Sequence, residues 1–302
     1  MSSDESFGRL RVQTVLFGQA QEQLWRLLQG LSAAARKVQD AGLVTSVDWA
    51  LGDSSSEPVF GPGDAKAMFE ASDGSLSAVT YEVFGANLGS SGGQNHLARG
   101  HPSEFLLVLN PDTYPSPTAL VELVDALSSK RASVVEARQI PLEHPRYYDP
   151  ITGETSWASG FCMLVARSVF DELDGFDSEH FLLHCDDVDF SWRARARGHK
   201  VIVAPYATVF HDKRPRVEDS WPTPDAELYH AALGRLMLAT RWDRPDVVEE
   251  TIAFIESGQS AIQREALAEF QSRMESRRCP SIEQDAESVA QFIDGEYAAH
   301  RF

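Results

Sequence analysis

Four short apolar runs, separated by stretches with helical spacing or by turns, occupy the first 110 residues and constrain the fold more than any other feature. Residues 12–17 are apolar and β-rich, and between 19 and 40 the residues Leu24, Leu27, Leu28, Leu31 and Ala35 recur at helical spacing. A second apolar run, 44–51, stops at Gly52-Asp53-Ser54-Ser55-Ser56, residue types that favour a turn at a strand end, and a loop rich in Gly and Pro continues to about Gly63. Residues 78–84 read as a third strand, 85–95 as a glycine-rich turn leading into a helix, and 105–109 as a fourth strand. Such alternation predicts an α/β fold with a largely parallel sheet. Ligands of these sheets sit beyond the carboxyl ends of the strands, so Asp53, the glycine-rich turn and Asn110-Pro111-Asp112 are expected to converge on one crevice.

Further along, residues 118–127 read as a helix and 133–138 as a strand. The stretch 139–156, with three prolines and two tyrosines, reads as a long functional loop. A strand resumes at 161–165. The segment 214–224, with three prolines, reads as a linker, and from 225 to 302 the chain shows helical periodicity (Leu228, Ala231, Ala232, Leu236, Ala239). A length of 302 residues suffices for one large α/β domain with an appendage, or for two domains. Acidic residues number 45 against 27 Lys and Arg, so the chain should repel nucleic acid and anionic lipid. Any phosphate it binds must therefore meet a local positive site or a bound cation.

Cys162, Cys185 and Cys279 lie too far apart for a zinc C-x-x-C site, and their odd number argues against a disulfide framework. Reduced thiols and a cytoplasmic location are the expectation. Residues 1–11 carry neither a signal-peptide core nor a lipidation motif, and no stretch reaches about 18 uninterrupted apolar residues, so a soluble protein is expected, with peripheral membrane contact left open.

Four segments could carry chemistry. Asn110-Pro111-Asp112 sets a carboxylate immediately after five apolar residues, where Mg²⁺ or Mn²⁺ could be shared with substrate phosphates; a turn and helix cap before Pro115-Ser116-Pro117 is the alternative. Asp186, Asp187 and Asp189 fall within four positions. Acids in a first helical turn complement the helix dipole, yet adjacent carboxylates also raise one another's pKa and so make a general base. The arginines that follow, Arg193, Arg195 and Arg197, suit salt bridges on a solvated face equally well. His211 is either a satisfied structural histidine or a metal ligand, and beside it Lys213, Arg214 and Arg216 form the clearest cationic cluster, suited to a diphosphate leaving group. Gly89, Gly92 and Gly93 could let backbone N–H groups approach a phosphate, or make a plain tight turn; they match neither G-x-G-x-x-G nor a P-loop.

Taken together, FGANLGSSGGQN (84–95), FLLVLNPDTYPSP (105–117), the segment 157–199 that opens WASGFC and holds HCDDVDFSWRARARGH, and APYATVFH (204–211) resemble glycosyltransferase family 2. These are inverting enzymes of the GT-A fold, and the likeness is to the bacterial rhamnosyltransferase-like and galactofuranosyltransferase-like members, over residues 12–211. The resemblance implies a GT-A catalytic domain at 1–212, with a nucleotide-sugar part to about 112 and an acceptor part at 113–212, built on a mixed, mainly parallel sheet flanked by helices. A helical region, 213–302, would follow and could serve dimerisation, acceptor binding or membrane docking. Asn110-Pro111-Asp112 stands at the D-x-D metal motif, with Asn110 replacing the first Asp; His211 would complete the metal site with Asp112, holding Mn²⁺ or Mg²⁺. Donor binding falls to Phe17, Asp53 (at the base-recognising position), Asn87, Gly92, Asn95, Asn110 and Asp112. Asp186-Asp187 matches the E-D motif, with Asp187 the favoured base. Gly160 would line the acceptor side and Trp157 would stack on a sugar face.

The implied reaction is a single inverting displacement, moving rhamnose, galactofuranose or a similar sugar from a nucleotide-diphosphate donor to a hydroxyl of a cell-envelope glycan or lipid-linked acceptor. Gly18-Gln19 in place of the usual Tyr-Asn pair, and the long insertion 57–77, depart from the family pattern near the nucleotide pocket. A nucleotidyltransferase would need a basic signature after the first strand, and residues 18–21 hold none. A binding protein that has lost its chemistry would not need Asp112, Asp187 and His211 together.

Overall fold

The computed structural model describes residues 8–212, 225–283, 289–293 and 295–301. In chain order its elements are β1 (Arg9–Leu16), α1 (Gln21–Asp40), β2 (Ser46–Asp53), α2 (Asp64–Ala71), β3 (Ala78–Val83), α3 (Gly89–Ala98), β4 (Phe105–Leu109), β5 (Thr113–Pro115), α4 (Ala119–Ser129), β6 (Val134–Ile140), β7 (Cys162–Ala166), α5 (Arg167–Glu172), α6 (Asp186–Ala196), β8 (Val201–His211), α7 (Asp225–Arg241), α8 (Pro245–Ser257) and α9 (Ala261–Glu275). The eight strands form one sheet in the order β3-β2-β1-β4-β7-β6-β8-β5. The pairs among β3, β2, β1 and β4 are parallel, as is β6 with β8; β7 runs antiparallel to β4 and β6, and β5 antiparallel to β8. This is the mixed, mainly parallel sheet expected.

Side chains alternate across a strand, and β4 shows what that does here. Leu107 and Leu109 enter a core with α1 and α4, whereas Leu106 and Val108 enter a second core with Phe170, Phe176 and Phe190 on the opposite face. Covered on both faces, β4 and β2 read as near-continuous apolar runs. The α1 stripe of Leu24, Leu27, Leu28, Leu31, Ala35 and Val38 is buried as its spacing predicts. Trp49 is also fully buried, and its indole N–H donates to Thr14 Oγ1 at 3.0 Å, which satisfies the polar atom that so large a ring brings inside.

A third core joins the C-terminal helices to α6. Trp192 is its centre, packed edge-to-face on Trp242 (5.5 Å) and Phe292 (5.2 Å). Past α9 the described chain is not regular helix, contrary to the expectation for 213–302. Residues 289–301 instead return to the 141–161 loop: Ser156 Oγ donates to the Tyr297 carbonyl (3.0 Å), Tyr147 N–H to Ala299 (2.6 Å) and Arg301 N–H to Pro145 (2.8 Å). The linker expected at 214–224 lies outside the described residues.

The glycine-rich turn is also a correction, because Gly89, Gly92 and Gly93 lie within α3 itself. Glycine is a poor helix former, so its presence needs a packing reason. A Cβ on Gly93 would come within 2.6 Å of Val15 Cγ2, and one on Gly89 (φ +66°) would strike the Leu182 carbonyl. The glycines let α3 lie directly on β1 and against the 176–182 segment. Gly93→Val should therefore destabilise by about 1–3 kcal/mol through overpacking, read as a lowered urea midpoint with unchanged slope. The insertion 57–77 contains α2 and closes with Phe60 set edge-on to Tyr81 at 5.4 Å. Short elements β5 and α5 were not expected from the sequence.

Candidate functional site

A cavity of about 950 Å³ opens at the carboxyl ends of β1 and β4 and extends to α6 and α7. Of the residues singled out in the sequence, Phe17, Asn87, Asn110, Asp112, Trp157, Gly160, Asp186, Asp187 and His211 line it. Asp53, Gly92 and Asn95 do not.

One corner is built by the short strand β5. Asn110 N–H donates to the Phe161 carbonyl (2.9 Å), and the Asn110 carbonyl accepts from Thr113 Oγ1 (2.6 Å), a turn that leads into β5. In β5, Thr113 pairs with His211, and Asp212 N–H donates to the Asp112 carbonyl (2.9 Å). That pairing brings His211 Nε2 within 3.2 Å of Asp112 Oδ2. His211 is buried, with Phe161 stacked on its ring at 5.5 Å. Its Nδ1 faces Gln139 Oε1 at 3.2 Å, and the Gln139 amide is oriented by its own Nε2, which donates to the Leu142 carbonyl (2.6 Å). With Nδ1 turned to Gln139 Oε1, Nε2 is the ring nitrogen directed at Asp112, and the two can pair directly or serve as neighbouring ligands of a metal ion. A separation of 3.2 Å also suits adjacent ligands of an octahedral ion, about 3 Å apart for bonds of about 2.1 Å. Asp112 does not cap α4, whose N-cap is Thr118. Among the described residues no three His, Cys, Asp or Glu side chains form a metal-binding group, so an ion at this corner would draw further ligands from a substrate.

The second feature is the acid pair. His184 and Cys185 both adopt left-handed backbone (φ 63° and 61°), an arrangement disfavoured for side chains of their size and concentrated at functional sites. It turns the chain into α6 so that Asp186 and Asp187 begin the helix on the cavity wall. Asp187 Oδ2 accepts from Gly160 N–H (2.9 Å) and Oδ1 from Val188 N–H (2.8 Å). Burial and the neighbouring Asp187 charge push Asp186 up to about 7, against a hydrogen bond from Ser90. Burial raises Asp187 as well, opposed by its two backbone donors and by the charges of His184 and Arg146. Arg146 is itself buried and paired with Glu136, whose other contact is Ser159 N–H (2.7 Å), the residue before Gly160. An ion pair thus anchors the strip of backbone that holds Asp187.

Asp189, the third acid of the run, is structural. It is fully buried, and it accepts from Arg193 Nε (2.7 Å) and faces Arg241 Nη1 (3.2 Å) on α7. Arg193 is buried rather than on a solvated face, donating also to the Leu173 and Gly175 carbonyls.

Three residues expected to contact the donor lie off the cavity wall. Asp53 is buried, its carboxylate accepting from Ser55 N–H (2.8 Å), Val59 N–H (2.7 Å) and the Tyr81 hydroxyl. Burial acts to raise its pKa, and the Ser55 and Tyr81 hydrogen bonds overcome that and lower it. These bonds shape the 53–59 loop. Asn95 is engaged at both ends of its amide by the backbone of Phe176, and Gly92 sits on α3 beside Ser178; both serve the packing of the 176–182 segment. Trp157 lines the cavity, but the Arg146 guanidinium lies 4.3 Å over its ring and only 6% of the residue is exposed, so it does not offer a face for stacking. Its indole N–H has no hydrogen-bond acceptor among the described residues. Lys213, Arg214 and Arg216 lie outside the described residues.

Sequence reasoning missed His144, His184, Glu227, His230, Glu296 and Tyr297, which also line the cavity. The last four come from α7 and the returning C-terminal segment, and only the packing around Trp192 brings them there; no local pattern marks them. Carboxylates on the wall number six (Asp112, Glu143, Asp186, Asp187, Glu227, Glu296), and no Lys or Arg is among the described residues that line it. No helix among the described residues is long and apolar enough to cross a membrane.

No protein-family model matches the chain. It is 37% identical over 65 residues to an N-acetylglucosaminyl-diphospho-decaprenol L-rhamnosyltransferase of Mycobacterium tuberculosis, covering 22% of this chain and 21% of that protein. It is 24% identical over 172 residues to the low-salt glycan biosynthesis hexosyltransferase Agl10 of Haloferax volcanii, covering 47% and 56%. The chain thus spans about a fifth and about half the length of these curated relatives. Among solved structures it resembles a mannosyltransferase from Pyrobaculum calidifontis in complex with GDP-Man and Mn²⁺ (TM-score 0.54, 15% identity, 89% of this chain and 81% of that one). It also resembles GalNAc-T7 with UDP, GalNAc and Mn²⁺ (TM-score 0.61, 14% identity, 93% and 57%). The fold is GT-A, as expected, and the relatives agree with the resemblance to family 2.

Proposed function

We propose that this chain, which has the GT-A fold of the nucleotide-sugar glycosyltransferases, transfers a sugar from a nucleotide-diphosphate donor to a hydroxyl acceptor with inversion at the anomeric carbon. The observation that carries this reading is a single cavity holding both a cation corner, Asp112 with His211, and a carboxylate, Asp187, fixed by two backbone donors. The names of the two relatives and the donors and Mn²⁺ in the titles of the two similar structures point the same way.

Asp112 and His211 would hold Mn²⁺ or Mg²⁺, which neutralises a diphosphate leaving group. A cavity wall with six carboxylates needs such a charge. Asp187 takes the proton from the acceptor hydroxyl as that oxygen attacks the anomeric carbon and the bond to the nucleoside diphosphate breaks. Asp186, its buried neighbour, raises the basicity of the pair. The test is release of nucleoside diphosphate from a panel of nucleotide sugars with Mn²⁺, with the product's anomeric configuration read by NMR. Retention of configuration would overturn the single displacement.

Asp112→Ala should remove the metal-dependent part of donor binding. At a hundred times Kd a ligand stabilises a fold by about 2.7 kcal/mol, a rise on the order of several degrees in Tm for a chain of this size. Wild-type protein should show that rise with nucleoside diphosphate and Mn²⁺, and the variant should lose it. An unchanged shift would place the metal elsewhere.

The rate should also depend on pH. Asp186 and Asp187 titrate as a pair, and the last proton leaves near 7, so kcat should climb with pH along an acid limb near 7 instead of near 4. The stability effect has the matching sign. The folded protein keeps that proton to a higher pH than the unfolded chain, so the pair favours folding fully below about 3.8 and progressively less as pH rises to about 7.

A further inference from the structure

We infer that Glu136 and Arg146, neither of which lines the cavity, form a buried positioning pair for the proposed base: Glu136 holds the backbone strip that carries the Asp187 carboxylate, and Arg146 supplies a fixed positive charge near it. This role of the pair rests on the transferase reading above. Strand β6 lies between β7 and β8 with Val134, Val135 and Ala137 buried, and a carboxylate in that company is costly unless it is paired. A well-packed apolar pair would serve stability at least as well, so an ion pair buried here needs a further reason. Its two ends supply one. Glu136 Oε2 accepts from Ser159 N–H (2.7 Å), and the next amide, Gly160 N–H, donates to Asp187 Oδ2 (2.9 Å), so a single peptide unit links the structural carboxylate to the one proposed to do chemistry.

Arg146 reaches inward from the 141–161 loop, pairs with Glu136 and lays its guanidinium over the Trp157 ring at 4.3 Å, two residues before Ser159. Its Nε and Nη1 meet no acceptor among the described residues, so Glu136 takes up only part of what the guanidinium offers. Burial lowers Arg146 to about 9, which leaves it cationic at neutral pH, and its charge opposes the rise that burial imposes on Asp187. Other groups act on Asp187 as well. Asp186 adjoins it on α6 and His184 precedes it in the turn, while Cys185 and Tyr297 stay neutral because burial raises both. Glu143 and His144 from the loop, Glu227 and His230 from α7, Glu296 from the returning segment, and the Asp112–His211 corner share the cavity, and Arg301 opposes the charge of Arg146. Substitutions at 136 and 146 leave all of these in place, so differences between such variants report on the pair alone.

The experiment follows the aspartate carboxyl carbons of the full chain by ¹³C NMR as pH is varied, with Asp187→Asn to assign the resonance. In Glu136→Gln the negative charge goes but an acceptor for Ser159 stays, so the last titration of the Asp186–Asp187 pair should move down by about half a pH unit or more. Glu136→Gln/Arg146→Met, which leaves no unpaired charge inside, should bring it back up, whereas Glu136→Gln/Arg146→Lys, which keeps a cation, should not. Backbone placement is read separately. Glu136→Ala/Arg146→Met lacks the acceptor, so its Ser159 and Gly160 amides should exchange with solvent several times faster than those of Glu136→Gln/Arg146→Met, and its kcat should be lower at an unchanged Kd for nucleoside diphosphate. Titrations that do not move or move one way in every variant, a Lys variant that tracks the Met variant, or equal amide exchange in the Ala and Gln proteins would each overturn the inference. Titrations and exchange that change as expected in a protein that turns over no nucleotide sugar would instead remove the transferase reading and leave the pair's hold on Asp187 standing.

Discussion

Asp187→Asn should lower turnover by 10²- to 10⁴-fold, the range of a lost general base, while leaving the Kd for nucleoside diphosphate within about twofold. In the proposed reading the donor's charge would be met at Asp112 and His211, whose contacts with each other and with Gln139 do not involve Asp187. Asn is a less innocent replacement here than its shape suggests. The carboxylate accepts from two backbone donors, Gly160 and Val188, and an amide has only one oxygen to offer them. One N–H would be left facing an NH₂ group, at a cost of about 1–3 kcal/mol in stability. Turnover must therefore be compared at a temperature where both proteins are folded, as judged by their melting curves. Loss of nucleotide binding along with turnover would show that Asp187 is a ligand or a structural residue and not the base.

Asp189→Ala should cost about 3–5 kcal/mol of stability, although it lies only two residues from the proposed base. Its carboxylate is fully buried between Arg193 and Arg241, so removing it leaves two guanidinium groups in a closed interior. Arg193 keeps the Leu173 and Gly175 carbonyls, and Arg241 keeps Asp177, but no negative charge would remain between them. The loss is a large share of the roughly 5–15 kcal/mol that holds a domain folded. Urea denaturation gives the number directly. A change below about 1 kcal/mol would mean that the arginines turn out to solvent and that the pair does not brace α6 against α7.

The contrast between Asp187 and Asp189 shows what a sequence can reveal here. Strands β2 and β4 were legible because a strand covered on both faces is largely apolar, and α1 because its stripe repeats at helical spacing. The acid pair was legible as a departure, three acids where a cap needs fewer. Which acid faces the cavity was not legible from composition, since positions 186 to 189 cover a full helical turn and only the packing around Trp192 fixes which side is inside. The Asp112–His211 corner depends on β5, three residues long and invisible to any periodicity. Gly93 was misread because a glycine inside a helix and one in a turn look alike until the neighbouring strand is present. Asp53 carried the right residue type at a strand end, yet its lone pairs serve its own loop. The α7 and C-terminal residues on the cavity left no mark, because nothing local distinguishes Glu227 from any other acid in a first helical turn.

The contact between Ser156 and Tyr297 joins residues 141 positions apart. A polypeptide leaves the ribosome from its amino end, and the sheet with its cation corner is encoded before residue 212. The wall beside the proposed base is encoded later, by Glu227 and His230 on α7 and by Glu296 and Tyr297. During synthesis the protein therefore passes through a stage in which the central sheet and the pair Asp112–His211 exist but the cleft lies open on the side of α6. A chain cut short before residue 289 would keep the fold's central sheet yet lack one side of the cavity.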